Sequence, residues 1–220
     1  HVHPELNAGS TLLKALSLLK QPLETAKTAS AEAFLAIAEA LDEVYRERLE
    51  TMGDVPGGRD MSCTTHLCVI DSQGSMVSLT QTLLSIFGSK LVLPQTGILM
   101  NNGLMWFNPE PGHPNSLAPD KHCLANTCPV IGLNDSGGMA LGASGGRRIM
   151  PAVLQLLYLL IDGEMSLEEA FHQPRIDHSG GDQVVVDRRL QKEVLQKIEE
   201  KFSCITAENG AFPLYFACPS

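Results

Sequence analysis

Apolar residues recur at helical spacing through the first quarter of the chain, and they predict two amphipathic helices over residues 11–20 and 29–50. Pro22 lies between these segments and predicts a break, because proline removes a backbone donor and collides with the preceding turn. The next segment, residues 51–62, holds three glycines and one proline and therefore predicts a loop.

The pattern changes to strand-like alternation after this loop. Two predicted strands, residues 64–71 and 75–82, flank a three-residue turn in which Gly74 takes the position that favours a left-handed conformation. If the hairpin is symmetric about the middle of this turn, Thr64 lies directly opposite Thr82. Directly opposed residues have Cβ atoms about 4.5–5.5 Å apart on one face of a sheet. The hairpin therefore predicts that these two hydroxyl groups meet.

The middle of the chain is less regular. Short strands are predicted around residues 96–100, 128–133 and 138–143. Proline, asparagine and glycine are frequent over residues 103–127, which predicts a long loop.

A mostly apolar run of 13 residues, 149–161, predicts a buried helix and is too short to span a bilayer. A short strand and a turn at Gly145 and Gly146 precede this helix. Further along, Ser166 and Glu169 have the spacing of a capping box and predict the start of a short helix.

The last part of the chain predicts a strand over residues 183–187 and a surface helix over 188–202. The sequence then ends in apolar residues without a further predicted element, so we expect truncation there. Strands followed by buried helices, then strand, helix and strand, indicate a layered α+β sandwich with two sheets between helices.

Composition excludes several classes of function. The formal net charge of −9 argues against nucleic-acid binding, which requires a basic surface. The six cysteines include two Cys-x4-Cys pairs but no Cys-x2-Cys pair, and no His-x3-His pair is present, so we expect no metal site. Free, buried thiols are the preferred interpretation, and disulfides are left open. No glycine-rich nucleotide-binding motif is present, and we expect no cofactor.

Two features carry candidate chemistry. The facing hydroxyls of Thr64 and Thr82 lie where a loop enters a strand, although a purely structural threonine pair is the more ordinary interpretation of that pairing alone. Gly145 and Gly146 lie between a strand and a helix start, where free backbone N–H groups can bind an anion. Such groups form oxyanion holes, and a tight turn that needs positive φ is the alternative interpretation.

Several motifs in one order resemble the small-subunit half of the γ-glutamyltranspeptidase family. They are "TTH" with its strand, "SLTQT", "FGSKLVLPQTGILMNN", "PGHPNSLAP" and "GASGGRRI". The resemblance covers nearly everything from residue 51 to about 178, and the upstream helices resemble the tail of the large subunit. It implies a four-layer αββα sandwich of the N-terminal-nucleophile hydrolase type, made as a precursor that cleaves itself.

The resemblance assigns roles to individual residues. It implies cleavage between Cys63 and Thr64, so that Thr64 becomes both the attacking hydroxyl and, through its new α-amine, the base. Thr82 matches the threonine that hydrogen-bonds the nucleophile, and Gly145 and Gly146 match the oxyanion hole. Residues 1–63 would then be the helical tail of the large subunit, with a cleavage loop over 51–63, and residues 64–220 the small-subunit catalytic domain.

The substrate-binding motifs depart from the family pattern. Where an Asn-Gln-x-x-Asp pattern is expected, the chain has Asn102, Gly103 and, in place of the aspartate, Trp106. The expected pair of serines is Ala125 and Asn126. An asparagine expected two residues after Thr82 is Leu84.

These changes remove the carboxylate that would pair with a substrate ammonium group. An unpaired buried ammonium costs several kcal/mol. We therefore expect the acyl donor to differ from ordinary γ-glutamyl compounds, a small amide or a dicarboxylate monoamide being favoured.

The predicted function is an autoprocessing amide hydrolase or acyltransferase, which acts on a γ-glutamyl or related small amide together with the large subunit of the same precursor. The alternative is an unprocessed, catalytically silent relative that acts as a binding protein. The sequence predicts no membrane span, and we expect a soluble protein of the cytoplasm or periplasm without deciding between them.

Overall fold

The computed structural model describes residues 7–52, 63–135, 137–207 and 216–220. Within these ranges the chain forms five α-helices, whose bounds are α1 Asn7–Thr25, α2 Ala31–Thr51, α3 Ile149–Ile161, α4 Leu167–His172 and α5 Lys192–Glu199. The predicted cleavage loop falls largely on residues 53–62, which lie outside the described residues. None of the helices in the described ranges is long and apolar enough to cross a bilayer.

Pro22 does not separate the first two helices, and the predicted break there is wrong. Helix α1 includes Pro22 in its final turn and continues to Thr25. Pro22 deprives the helix of the hydrogen bond that an N–H there would donate to the Leu18 carbonyl, and the helix ends three residues later. The chain reverses between α1 and α2, where Ala29 has a left-handed φ of 55° and the Ser30 side chain caps α2.

Nine short strands and two 3₁₀ turns, Gly103–Trp106 and Gly146–Arg148, complete the described secondary structure. The strand bounds are β1 Thr64–Ile70, β2 Met76–Thr82, β3 Val130–Asn134, β4 Gly137–Leu141, β5 Ala143–Ser144, β6 Ile176–Asp177, β7 Gln183–Asp187, β8 Ser203–Ala207 and β9 Cys218–Pro219. The pairs β1–β2, β3–β4 and β5–β9 are antiparallel, and β6, β7 and β8 form one sheet in which β7 and β8 are parallel.

Two predictions about the strands are wrong. No strand forms over residues 96–100: the chain turns there, with Gly97 at φ 71° and a single bridge between Val92 and Leu99. The chain also does not end without further elements, since β8 and β9 follow α5. Strand β9 pairs with β5, far away in sequence, and a pairing at that distance leaves no signal in the local pattern.

The core is centred on α3. Every residue from Ile149 to Leu159 is buried, as the apolar run predicts. This helix contacts α1 and strands β5, β6 and β9, while α1 and α2 contact each other. The described residues therefore form layers of helices and sheets, and the predicted α+β class is confirmed.

The β1–β2 hairpin has the predicted register, with Thr64 opposite Thr82 and Ile70 opposite Met76. One face of this hairpin packs on Gly142 through the His66 ring. An added Cβ at Gly142 would lie 2.1 Å from that ring, so glycine allows this close approach. The Ser78 hydroxyl also connects the hairpin to β4, because it donates to the Leu141 carbonyl at 3.0 Å.

Candidate active site

The hydroxyls of Thr64 and Thr82 meet at the open end of the hairpin. Thr64 Oγ1 donates a hydrogen bond of 3.1 Å to Thr82 Oγ1, and Thr82 Oγ1 in turn donates to the Cys63 carbonyl at 3.3 Å. The Leu84 N–H donates to Thr82 Oγ1 at 2.9 Å. Thr82 therefore connects the Thr64 hydroxyl with the carbonyl of the residue before it.

The Cys63 carbonyl oxygen accepts a second hydrogen bond, from the Leu83 N–H at 3.1 Å. The Cys63 N–H donates to the Leu84 carbonyl at 2.9 Å, so the strand pairing continues one residue beyond Thr64. The peptide between Cys63 and Thr64 is thus held against the turn that follows β2.

Leu84 takes an unusual backbone conformation at this turn. Its φ is 68°, a left-handed value that costs a non-glycine residue about 1–2 kcal/mol. The conformation directs the Leu84 N–H at Thr82 Oγ1 and its carbonyl at the Cys63 N–H. Strain of this kind concentrates at functional sites, where the surrounding contacts maintain it.

A small cavity adjoins the two threonines. Its volume is about 10 Å³, room for about one water molecule, and it is lined by Thr64, Thr82, Leu84, Trp106, Asn126, Thr127, Gly146 and Ile149. On the other side, a groove of about 680 Å³ contains Cys63, Thr65, Gln81 and the segment 98–101, and it also reaches Thr64 and Thr82. That volume lies in the range of small-molecule binding sites.

The structure therefore brings together six of the residues that the sequence singles out. The small cavity is bordered by Thr64, Thr82, Leu84, Trp106, Asn126 and Gly146. They come from β1, β2, the long segment between β2 and β3, and the turn before α3.

Four others are not among the residues that line the cavity. The Asn102 carboxamide hydrogen-bonds Ser85, accepting from its N–H and donating to its hydroxyl. Gly103 begins a short 3₁₀ turn, and the Ala125 carbonyl accepts a hydrogen bond from Arg48. Gly145 lies against Ala217, so closely that an added Cβ would be 2.8 Å from the Ala217 Cα.

Sequence reasoning missed two buried residues of α2 that hydrogen-bond the segments forming the cavity. Arg48 is 1% exposed, and its Nη2 donates to Asn126 Oδ1 at 2.9 Å. Tyr45 is also buried, and its hydroxyl donates to the carbonyl of Arg147 at 2.6 Å, directly after Gly146. A signal was available, because Arg48 falls on the apolar stripe of an amphipathic helix, where an arginine needs hydrogen-bond partners.

A second pair of potential nucleophile and base lies on the same hairpin. His66 Nε2 is 3.3 Å from Cys68 Sγ, while Nδ1 is 2.8 Å from Thr80 Oγ1. Burial lowers the pKa of His66 and raises the pKa of the Cys68 thiol, although a hydrogen bond with Ser78 lowers the latter. Both shifts favour the neutral forms, so this pair is not an activated thiolate.

All six cysteines are free in the structure. Cys128 is buried, and burial raises the pKa of its thiol to about 12, with the nearby Arg48 charge acting in the opposite direction. The other five are partly exposed, so the prediction of buried thiols holds for Cys128 alone. Among the described residues, no group of three histidine, cysteine or acidic side chains could hold a metal ion.

Comparison with known proteins agrees with this fold. The family model described as gamma-glutamyltranspeptidase matches residues 57–212, most of the chain. The chain therefore belongs to the γ-glutamyltranspeptidase family.

Curated relatives include acylases and glutathione hydrolases. The chain is similar to an acylase ACY 1 proenzyme of Pseudomonas sp. (strain SE83), with 34% identity over 155 residues that cover 66% of this chain and 28% of the relative. It is also similar to the glutathione hydrolase proenzyme of Escherichia coli (strain K12), with 33% identity over 150 residues that cover 63% of this chain and 26% of the relative. The chain thus spans about a quarter of the length of these relatives.

Among solved structures, a mutant of the γ-glutamyltranspeptidase of Helicobacter pylori matches with a TM-score of 0.58 and 27% identity. The match covers 65% of this chain and 84% of that one. This likeness confirms the predicted fold of the N-terminal-nucleophile hydrolases. The nearly equal identities to an acylase and to a glutathione hydrolase do not distinguish between the two donor classes.

Proposed function

We propose that this chain is the catalytic part of an autoprocessing amide hydrolase or acyltransferase, in which cleavage before Thr64 creates the nucleophile. The observation that carries the proposal is the hydrogen bond between Thr64 Oγ1 and Thr82 Oγ1, at a cavity that Gly146 also lines. Both similar relatives are named as proenzymes, which supports processing. The large subunit of the same precursor is the proposed partner.

The contacts around Cys63 suit the cleavage step. In that step Thr64 Oγ1 attacks the Cys63 carbonyl carbon, and the carbonyl oxygen becomes negatively charged. Leu83 N–H and Thr82 Oγ1 already donate to that oxygen at 3.1 and 3.3 Å, so they can stabilise the charge as it develops. No rearrangement of these donors is needed.

The step converts an amide into an ester. A bond forms between Thr64 Oγ1 and the Cys63 carbonyl carbon, the bond to the Thr64 nitrogen breaks, and the hydroxyl proton ends on that nitrogen. Water then hydrolyses the ester, which leaves a Cys63 carboxylate and a free α-amine and hydroxyl on Thr64. Cleavage also frees the Leu83 N–H and opens the space that Cys63 occupies.

The released amine supplies the base for the second reaction. An α-amino group titrates near 7.7–8.0, so it accepts the Thr64 hydroxyl proton near neutral pH. The acyl group of the donor then forms an ester on Thr64 Oγ1, while Gly145 and Gly146 hold its oxyanion. Water or an amine acceptor completes the turnover.

The walls of the cavity favour a donor without an α-ammonium group. Leu84 and Trp106 are apolar, and no acidic side chain is among the residues that line the described cavity. A buried ammonium group would lack a carboxylate partner there, at a cost of several kcal/mol. A small amide or a dicarboxylate monoamide avoids this cost. At about 10 Å³ the cavity must widen to admit an acyl chain.

Intact-mass measurement of the full-length protein tests processing. The proposal expects two polypeptides, of which the second begins with a free threonine amine at position 64. A single uncut chain under all conditions would support the silent binding protein instead and would refute the proposal.

Donor choice is tested with γ-glutamyl-p-nitroanilide and glutaryl-p-nitroanilide, which differ only in the α-amino group. We expect the glutaryl compound to have the higher kcat/KM. The Trp106→Asp variant should move the preference toward the γ-glutamyl compound, whereas Trp106→Phe should not. Equal use of both donors by the unmodified protein would contradict the proposed donor class.

A further inference from the structure

Helix α2 contributes a buried cation, Arg48, that hydrogen-bonds a residue lining the small cavity. Arg48 lies three residues before the end of α2 and is 1% exposed. Its Nη2 donates to the Ala125 carbonyl at 2.8 Å and to Asn126 Oδ1 at 2.9 Å, and its Nη1 donates to Thr11 Oγ1 at 3.3 Å. One planar guanidinium thus connects α1, α2 and the segment that carries Asn126.

These contacts determine which way the Asn126 carboxamide faces. A guanidinium only donates hydrogen bonds, so the Asn126 atom that faces Arg48 must be the carbonyl oxygen. The amide nitrogen, Nδ2, is therefore on the other side of the group. Among the described residues Nδ2 donates no hydrogen bond, and Asn126 lines the cavity beside Thr64 and Trp106.

We propose that Arg48 is a positioning residue that sets the Asn126 carboxamide so that its N–H₂ group selects a hydrogen-bond acceptor, such as a carboxylate, on the acyl donor. The inference rests on the proposed function and deepens it, because it identifies which chemical group of the donor Asn126 would bind. Arginine suits this role, because its planar guanidinium donates hydrogen bonds to two acceptors at fixed angles. A lysine ammonium is a point charge without this fixed geometry.

The proposal also explains why the two products of cleavage would stay together. Arg48 belongs to residues 1–63, and Asn126 belongs to residues 64–220. The cavity therefore depends on Asn126 from one side of the Cys63–Thr64 bond and on its partner Arg48 from the other. Separation of the pieces would release the Asn126 side chain.

Equilibrium binding provides the first test, with glutarate as the probe and the full-length protein in a calorimeter. Arg48→Met removes the donors and keeps an apolar stem of similar length, and we expect it to weaken glutarate binding at least about tenfold. Arg46→Met is the matched control, because Arg46 is exposed and pairs with Asp42 along the same helix. It should leave the dissociation constant unchanged.

Asn126→Asp tests the proposal without removing the buried cation. Aspartate has the same shape and still accepts from Arg48, so the melting temperature should be maintained. Its second oxygen replaces the N–H₂ group, so the wall now repels a carboxylate, and glutarate binding should be lost. Undiminished glutarate binding by a folded Asn126→Asp variant would overturn the proposal.

Kinetics separate a positioning role from a merely structural one. With glutaryl-p-nitroanilide, Arg48→Met should raise KM and leave kcat within about twofold. With pentanoyl-p-nitroanilide, which lacks the distal carboxylate, KM should hardly change. The double variant with Asn126→Ala should bind glutarate no more weakly than Asn126→Ala alone, because both changes remove one interaction. Equal losses with both donors would contradict the proposal.

Failure of the proposed function would look different. If Thr64 is never released, the nitroanilides are not hydrolysed by any variant, and the intact-mass measurement shows a single uncut chain. If processing occurs and glutarate binding is insensitive to both residues, only the role of Arg48 is refuted.

Discussion

Thr64 and Thr82 reach the cavity from paired strands, whereas Trp106 and Asn126 reach it from a long segment with little regular structure. The threonine side, which we propose makes the attack, is held by ladder hydrogen bonds that continue to Cys63. The opposite side, which we propose recognises the donor, depends on side-chain contacts such as the hydrogen bond from Arg48 to Asn126. The first side also follows the pattern of the family, and the second departs from it.

This difference suggests how one family includes members under both acylase and glutathione hydrolase names. A wall built from side chains on a long segment can change its chemistry without disturbing a strand register. Changes on the threonine side, by contrast, alter the backbone that positions the attacking group. The four predictions below test this contrast, from the largest expected effect to the smallest.

Thr64→Ala should abolish processing, because it removes the only oxygen that we propose attacks the Cys63 carbonyl. The measurement is a denaturing gel of the full-length protein, which should show one uncut chain. Thr65→Ala is the matched control, since Thr65 is the next residue on the strand and is exposed. Loss of processing in both variants, or in neither, would contradict the assignment.

Thr82→Val should slow processing by about a hundredfold to a thousandfold, the usual effect of removing one oxyanion donor. Valine keeps the shape of threonine but cannot donate to the Cys63 carbonyl or accept from Thr64 and Leu84. The rate is measured by following the uncut band after synthesis. Thr80→Val serves as the control, because the Thr80 hydroxyl contacts the His66 ring instead.

The activity of the processed protein should rise with pH and level off above about 8, because the α-amine of Thr64 accepts a proton only in its neutral form. Below its pKa, kcat/KM should fall about tenfold for each pH unit. His66 does not produce this rise, since burial lowers its pKa, away from the pH at which the amine titrates. A rise centred near pH 6 or below, or no rise, would assign the base to another group.

Local patterns predicted much of this structure. The β1–β2 register followed from the turn at Gly74, and the buried helix α3 followed from an unbroken apolar run. The capping box of α4 also formed as the spacing of Ser166 and Glu169 predicts. Each of these depends on residues that are close in sequence, which is why reading the chain was sufficient.

Features that depend on distant partners were not predictable in this way. Strand β9 exists because it pairs with β5, and Arg48 is buried because Asn126 and Thr11 accept its hydrogen bonds. The small cavity likewise combines segments that no local pattern connects. Recognition of the family named the threonines and glycines, but it could not reveal what α2 contributes.

Leu84 lies where the two sides of the cavity meet, and it allows the smallest and most local test. Asparagine tolerates the left-handed conformation better than leucine, so Leu84→Asn should recover part of the backbone strain. The matched control is Leu83→Asn, which makes the same change at a neighbouring, similarly half-buried residue without a left-handed φ.

Both substitutions lose apolar contact, but only the first relieves strain, so Leu84→Asn should destabilise the protein by about 1 kcal/mol less than Leu83→Asn. The midpoints of urea unfolding measure the difference, provided that the slopes agree. If the two variants are equally destabilised, the turn stores no strain at Leu84. The hydrogen bond from the Leu84 N–H to Thr82 would then carry no backbone strain. The threonine side of the cavity would in that case need no more stabilising contacts from its surroundings than the opposite side.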